Sequence, residues 1–143
     1  MKARDVMTQP VVTVLTSTTL AEAAQLLSSH GFTALPVVDD DGRLVGIVTE
    51  ADLIKDRMAP DPRRQYWRPR RSPSAAAAVE QVMTTPVESL TPGADAADAV
   101  QIMLREHIRS LPIVDGEHLV GIVTRRDLMR SAFPLEDPSA LGK

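Results

Sequence analysis

The octapeptide GIVTEADL at residues 46–53 returns almost unchanged as GIVTRRDL at residues 121–128, with six of eight letters identical. The repetition extends well beyond this stretch. DVMTQPVVTV at 5–14 returns as QVMTTPVESL at 81–90, and ALPVVD at 34–39 returns as SLPIVD at 110–115. A repeat of this length is larger than a solenoid unit, so the chain is predicted to be a duplicated half-domain.

Composition narrows the class of protein. The chain has 143 residues, of which 43% are hydrophobic, so it fits one compact domain and is not disordered by composition. No segment approaches the ~20 apolar residues of a bilayer span, and the first residues lack the apolar run of a signal peptide. The absence of cysteine excludes disulfides, thiolate nucleophiles and Cys-ligated zinc. A net charge of −3 argues against wholesale nucleic-acid binding. We therefore expect a soluble cytoplasmic protein.

Each copy predicts the same order of elements, which is strand, helix, strand, strand, helix. In the first copy, the β-branched run at 11–14 indicates a strand. Thr19 and Glu22 form a capping box at the start of a helix, and Gly31 suits its left-handed end. Asp95 is the corresponding cap in the second copy. A Leu-Pro strand, an Asp/Gly turn and LVGIV then predict a β-hairpin, followed by a second helix. That helix is expected at about 50–58 and 125–131.

A Pro- and Arg-rich linker at 59–74 separates the copies, which we place at 1–58 and 75–133, with a flexible tail at 134–143. Its prolines predict no regular structure, while 75–82 is expected to recover helix. Arginines and the only Tyr and Trp of the chain crowd the linker and its approach: Arg57, Arg63, Arg64, Tyr66, Trp67, Arg68, Arg70 and Arg71. Arginine with aromatic rings can grip single-stranded nucleic acid. The favoured alternative is a solvated linker whose rings pack on the domain or on a dimer partner.

The repeated octapeptide places a threonine at a strand-to-helix turn and an aspartate three residues later, as Thr49 with Asp52 and Thr124 with Asp127. One interpretation is a helix cap, in which Thr accepts a backbone N–H and Asp favours the positive helix end. The other is a ligand site, because a helix N-terminus and a hydroxyl suit phosphate, while a carboxylate accepts ribose hydroxyls. Both interpretations stay open, although two copies in matching surroundings favour the ligand site.

The second copy carries arginines where the first does not. Arg125 and Arg126 follow its threonine, where the first copy has Glu50, and Arg109 precedes its Leu-Pro strand. Cations at a helix start oppose the dipole, at a cost of about 0.3–1 kcal/mol each. A neighbouring phosphate would offset this cost through charge-assisted hydrogen bonds, so the second copy is expected to serve phosphate better. The alternative is that the guanidinium groups point into solvent.

In combination these motifs resemble a tandem pair of CBS domains, named after cystathionine β-synthase, in a stand-alone CBS domain-containing protein. The similarity rests on DVMT and QVMT, ALPVVD and SLPIVD, and above all GIVTEAD and GIVTRRD. The last pair matches the family's Gly-hydrophobic-x-Thr/Ser-x-x-Asp nucleotide-binding motif. The resemblance covers nearly everything except the linker and tail. It implies an α/β fold of two β-α-β-β-α repeats, packed with pseudo-twofold symmetry into one module.

The resemblance also implies ligand clefts between the repeats, which in the family bind AMP, ADP, ATP or S-adenosylmethionine. Asp52 and Asp127 would hold ribose hydroxyls, and Thr49 and Thr124 would contact phosphate. The base would lie against the two Leu-Pro segments, partly against their backbone: Ala34, Leu35, Pro36, Ser110, Leu111 and Pro112.

No catalytic constellation accompanies the motif. His30, His107 and His118 lack metal-ligand spacing, and the sequence has no P-loop, nucleophile elbow or dinucleotide fingerprint. The expected function is an energy-sensing regulatory module, not an enzyme, that binds an adenosyl nucleotide and signals to a separate partner protein. The family implies a homodimer, and no metal is expected. The alternatives are an interaction module with non-functional clefts and, less favoured, a nucleic-acid binder that uses the arginine-rich linker.

Overall fold

The computed structural model describes residues 1–61, 66–69 and 77–134. The described residues between Val12 and Val87 form one compact unit, and those of Met1–Val11 and Glu88–Lys143 form the other. We call them the first-repeat unit and the second-repeat unit. The predicted mixture of helices and strands in two similar repeats is confirmed.

The elements of the first-repeat unit are β1 (Val14–Leu15), α2 (Leu20–His30), β2 (Ala34–Val38), β3 (Leu44–Thr49) and α3 (Glu50–Arg57). Its sheet has three strands in the order β1-β2-β3, in which β1 is parallel and β3 antiparallel to β2. The hydroxyl of Thr19 accepts the Glu22 N–H at 3.1 Å, which is one half of the predicted capping box, and Gly31 ends α2 at φ 69°, as predicted. The first strand is shorter than the predicted run at 11–14, because β1 pairs only with the last two residues of β2.

The second-repeat unit differs in its sheet, which is a two-stranded antiparallel hairpin. The first strand predicted for the second copy is reduced, among the described residues, to one parallel bridge between Leu90 and Ile113. The elements of this unit are α1 (Ala3–Val6), α4 (Ala96–Glu106), β6 (Ser110–Asp115), β7 (His118–Thr124) and α5 (Arg125–Ala132). Asp95 caps α4 by accepting the Ala97 N–H at 3.0 Å, as predicted. His107 ends α4 in the left-handed conformation, at φ 56°, where the first repeat has a glycine. Both predicted second helices are present as α3 and α5.

The segments that precede the two repeats are exchanged between the units. The Ala3 N–H donates to the Ala94 carbonyl at 2.7 Å, and the Thr8 N–H donates to the Ile122 carbonyl at 2.8 Å. The start of the chain therefore packs on the second repeat. The Thr84 N–H donates in the same way to the Ile47 carbonyl at 2.8 Å, so the segment before the second repeat packs on the first. We call residues 1–8 and 77–84 the lead segments.

Buried side chains form one hydrophobic cluster in each unit. In the first-repeat unit the cluster is centred on Leu35, Val37 and Val48, each with no exposed surface. Leu111 occupies the position of Leu35 in the second-repeat cluster. Pro36 and Pro112, on the opposite faces of these strands, are fully buried as well, so β2 and β6 are covered on both sides.

Two expectations for the region between the repeats are wrong. The linker contains regular structure, because β4 (Met58–Asp61) pairs antiparallel with β5 (Tyr66–Pro69). Both strands of a two-stranded ribbon are edge strands, where proline is tolerated. The helix expected at 75–82 is only a 3₁₀ turn at Val79–Gln81 among the described residues. The N–H of Val79 donates to the Thr18 carbonyl at 2.8 Å, which diverts it from a helical ladder.

The remaining expectations for this region lie outside the described residues, namely those for Arg63, Arg64, Arg70, Arg71 and the tail from 135 onward. Within the ranges that the structure covers, no helix combines the length and the apolar character that a bilayer crossing requires.

Candidate functional site

Each repeated octapeptide lies where a hairpin ends and a helix begins. Thr49 is the last residue of β3 and Thr124 the last residue of β7, and α3 and α5 begin at the following residue. The strand carries the Gly-Ile-Val part of the motif, and the aspartate falls in the first helical turn. The structure therefore places both Thr-x-x-Asp motifs at helix N-termini, as the sequence predicts.

The capping interpretation describes the bonds within the second motif. The Thr124 hydroxyl accepts the Asp127 N–H at 3.2 Å, and Asp127 Oδ2 accepts the Thr124 N–H at 2.9 Å. The Thr124 hydroxyl also lies 3.1 Å from the same Oδ2 and donates to it. Asp127 is only 7% exposed. This reciprocal set holds the carboxylate in one orientation at the start of α5.

The first motif repeats the backbone part of this arrangement. Asp52 Oδ2 accepts the Thr49 N–H at 2.9 Å, and the Thr49 hydroxyl accepts the Asp52 N–H at 3.2 Å. Among the described residues, no acceptor takes the Thr49 hydroxyl proton. Asp52 is also more exposed than its counterpart, being only partly buried.

Two residues of the site escaped the sequence analysis. The Thr8 hydroxyl donates to Asp127 Oδ1 at 2.9 Å, and the Thr84 hydroxyl lies 3.4 and 3.5 Å from the two oxygens of Asp52. Both threonines belong to the repeated Val-Met-Thr stretch, so each lead segment touches the motif of the unit on which it packs. The sequence shows that Val-Met-Thr recurs together with the octapeptide, which marks these threonines as candidates. It does not show that the two repeated stretches are in contact.

The methionines of the same stretch fasten the lead segments to the motif strands. Met7 is partly buried and packs against the second-repeat cluster, and Met83 packs in the same way against the first. A Cβ on Gly46 would overlap the Met83 sulfur and lie 2.9 Å from its Cγ. A Cβ on Gly121 would overlap Met7 in the same way, 2.8 Å from Cγ. The glycine of the octapeptide is therefore required for this close approach.

The predicted base-lining segments lie next to the motif threonines. Ala34 is the register partner of Thr49, and Ser110 is the partner of Thr124. The other predicted side chains of these segments are fully buried, so they offer a ligand mainly their backbone: Leu35, Pro36, Leu111 and Pro112. Ser110 is 8% exposed.

The predicted arginines gather at the start of α5. The Arg125 N–H donates to the Arg109 carbonyl at 3.1 Å, which places these residues side by side, and Arg126 follows. All three are exposed. Within the described part of the chain, no carboxylate forms a salt bridge with any of them. The start of α5 therefore carries a concentration of positive charge that α3, which begins with Glu50, lacks.

The histidines are dispersed. His30 ends α2, His107 ends α4 and His118 begins β7. Among the residues that the structure describes, no group of three or more His, Asp and Glu side chains is arranged to hold a metal ion.

Comparison with known sequences supports this organisation. The family model for the CBS domain matches residues 3–58 and 79–133. The CBS domain-containing protein YhcV of Bacillus subtilis is 38% identical over 125 residues, which cover 87% of this chain and 81% of YhcV. The uncharacterized protein MJ1404 of Methanocaldococcus jannaschii is 34% identical over 131 residues. That match covers 90% of this chain but only 31% of MJ1404.

Solved structures share the fold. A putative acetoin utilization protein (AcuB) from Vibrio cholerae superposes with a TM-score of 0.80 at 28% identity, covering 100% of this chain and 98% of AcuB. CBSX2, solved in complex with AMP, gives 0.73 at 29% identity, with coverage of 92% and 95%. The CBS domain pair of MJ0100, in complex with 5′-methylthioadenosine and S-adenosyl-L-methionine, gives 0.73 at 27% identity, also with 92% and 95%. The resemblance seen in the motifs is thereby confirmed, and the chain belongs to the CBS domain family.

Proposed function

We propose that this chain is a regulatory module that binds an adenosyl nucleotide through the Thr-x-x-Asp motif of each repeat. The observation that carries the proposal is the duplicated carboxylate, held in a fixed orientation at a helix start by its own threonine. Support comes from two similar CBS structures, one of which holds AMP while the other holds 5′-methylthioadenosine and S-adenosyl-L-methionine. The ligand is AMP, ADP, ATP or S-adenosylmethionine.

Each group of the motif has a chemical task in this proposal. The carboxylates of Asp52 and Asp127 accept the ribose hydroxyls, because an ionised carboxylate is a pure acceptor with several lone pairs. The Thr49 and Thr124 hydroxyls contact phosphate at the positive ends of α3 and α5. The backbone beside Ala34 and Ser110 supports the base, since the Leu-Pro side chains next to them are buried.

The proposed role is regulatory and not catalytic. The motif carboxylates are engaged by capping bonds, and no general base or metal partner accompanies them among the described residues. Ligand binding would therefore change the stability and surface of the module, which a partner protein reads. The proposal places the module in the cytoplasm, in line with its cysteine-free composition.

Self-association as a homodimer is part of the proposal. The helices of the second-repeat unit expose large apolar side chains, with Leu104 67% exposed on α4 and Met129 64% exposed on α5. Phe133, just after α5, is 74% exposed. Sedimentation velocity of Leu104→Glu and Met129→Glu variants tests this part. A parent dimer that the variants lose supports this part of the proposal. A parent protein that is already monomeric, or variants that remain dimeric, would contradict it.

Thermal melts test ligand binding. A ligand at about 100 times its dissociation constant adds roughly 2.7 kcal/mol to the free energy of unfolding. AMP, ADP, ATP and S-adenosylmethionine are each added to the parent protein and to a variant carrying both Asp52→Asn and Asp127→Asn. Asp98→Asn is the matched control, because it removes an exposed first-turn carboxylate from α4. The parent and the control should shift, and the double variant should not. No shift with any ligand would favour an interaction module instead.

A further inference from the structure

The two motif carboxylates receive different sets of hydrogen bonds from the described residues. Asp127 accepts three, from the Thr124 N–H at 2.9 Å and the Thr124 hydroxyl at 3.1 Å on Oδ2, and from the Thr8 hydroxyl at 2.9 Å on Oδ1. Asp52 accepts one short bond, from the Thr49 N–H at 2.9 Å. The Thr84 hydroxyl, at 3.4 and 3.5 Å, is beyond the usual O–H···O range, so its interaction is weak.

We propose that Thr8 is a selectivity-determining residue, whose hydroxyl occupies an acceptor position on Asp127 that a ribose diol requires. This inference rests on the proposed function and adds a ranking of the two motifs. A nucleoside without phosphate binds at Asp52 in preference to Asp127. Thr84 does not impose the same restriction on Asp52.

The ranking follows from counting acceptor positions. A carboxylate offers about four lone-pair positions, and a ribose diol donates two hydrogen bonds. Three positions on Asp127 are taken within the protein, so only one, on Oδ1, is left. Both ribose hydroxyls can bind only if Thr8 or Thr124 withdraws a proton. Thr8 is the one that withdraws, because the Thr124 hydroxyl also accepts the Asp127 N–H and is held by the cap.

The same exchange links the ligand to a lead segment. Thr8 is exposed, and its own N–H is bonded to the Ile122 carbonyl at 2.8 Å. Ribose capture at Asp127 therefore removes one of the bonds that hold residues 1–8 on the second-repeat unit. At Asp52 the corresponding bond to Thr84 is already weak, so occupancy there releases little.

The test measures adenosine binding by calorimetry on the full chain. An Asp52→Ala background isolates the second motif, and Thr8→Val is introduced into it, because valine keeps the β-branched shape and removes the donor. The variant should bind adenosine about tenfold more tightly. In the background protein, binding breaks the charge-assisted bond from Thr8 to Asp127, whereas the variant has no such bond to break. Thr8→Ser keeps the donor and should bind like the background. The mirror variant, Thr84→Val in an Asp127→Ala background, should change affinity less than about twofold.

A second probe excludes a change in site shape. With 2′,3′-dideoxyadenosine, which lacks the diol, Thr8→Val should give no gain. An unchanged or weaker affinity for adenosine, or an equal gain for the dideoxy probe, would overturn the role of Thr8 while leaving the proposed function in place. Absence of adenosine binding from every variant, together with melts that no adenosyl ligand shifts, would overturn both. A purely structural Thr8 would show itself as a lower melting temperature with weaker binding.

Discussion

The two Thr-x-x-Asp turns share a backbone design but differ in their surroundings. In both, the aspartate accepts the threonine N–H at 2.9 Å and returns its own N–H to the hydroxyl at 3.2 Å. Asp127 is buried and receives a short bond from a lead segment, whereas Asp52 is partly exposed and receives a long one. Local sequence therefore determines the cap, while a distant segment determines how much of the carboxylate is left for a ligand.

The two turns also differ in the charge of the residues that follow the threonine. Arg125 and Arg126 follow the second threonine, whereas Glu50 follows the first. The second turn therefore has a carboxylate with few free acceptor positions beside two positive charges. The first turn has a carboxylate with more free acceptor positions beside a negative charge. We infer that duplication has produced one turn suited to sugar and another suited to phosphate.

The largest effect is expected from Gly46 and Gly121, which begin the octapeptide in the two repeats. Gly46→Val and Gly121→Val should each lower the free energy of unfolding by about 2–3 kcal/mol, because the new side chain overlaps Met83 or Met7. Equal losses would confirm that the lead segments are fastened alike in both units. Urea denaturation measures the losses, and Gly93→Ala is the control. A Cβ there meets only Arg4 Nη1, at 3.9 Å, so no loss is expected. A large loss at only one of the two glycines would contradict the shared design.

The carboxylates should separate the two units in stability. Asp127→Ala should cost about 2 kcal/mol, because it removes a cap and leaves the Thr8 hydroxyl and the Thr124 N–H without their acceptor. Asp52→Ala should cost about 1 kcal/mol, since it removes a cap with a weaker second bond at a more exposed position. Urea denaturation without ligand gives both values. Equal costs would contradict the difference in burial and bonding.

The comparison also shows how far sequence can lead. The caps at Thr19 and Asp95, the hairpins and both motif helices were predictable, because each depends on residues close together in the chain. The exchange of lead segments was not, because a repeated stretch records duplication and carries no information about which copy it packs against. The Thr8–Asp127 bond joins residues 119 positions apart, so no local pattern reveals it.

The arginines should separate the turns in ligand choice. A double variant with Arg125→Ala and Arg126→Ala should weaken ATP binding by about fivefold, roughly 1 kcal/mol, and leave adenosine unchanged, since only ATP presents phosphate to the guanidinium groups. Arg130→Ala is the matched control, because it removes an exposed arginine from the other end of α5. Calorimetric titration measures both ligands. An equal loss for ATP and adenosine would show that the arginines support the fold and do not select phosphate.

The smallest effect is expected where the first helix of each repeat ends. Gly31 and His107 occupy the same place and both have positive φ, 69° and 56°, but only glycine adopts this conformation without strain. His107→Gly should therefore raise the free energy of unfolding by about 0.5–1 kcal/mol. Glycine also raises the conformational entropy of the unfolded chain, which reduces this gain. The reverse change, Gly31→His, should lower it by a similar amount, because no atom lies within 4 Å of a Cβ there and only the backbone is strained. Thermal melts of the two variants decide the matter. A loss of stability in His107→Gly would mean that the imidazole stabilises the second repeat through its own contacts, and the two helix ends would then differ in more than backbone strain.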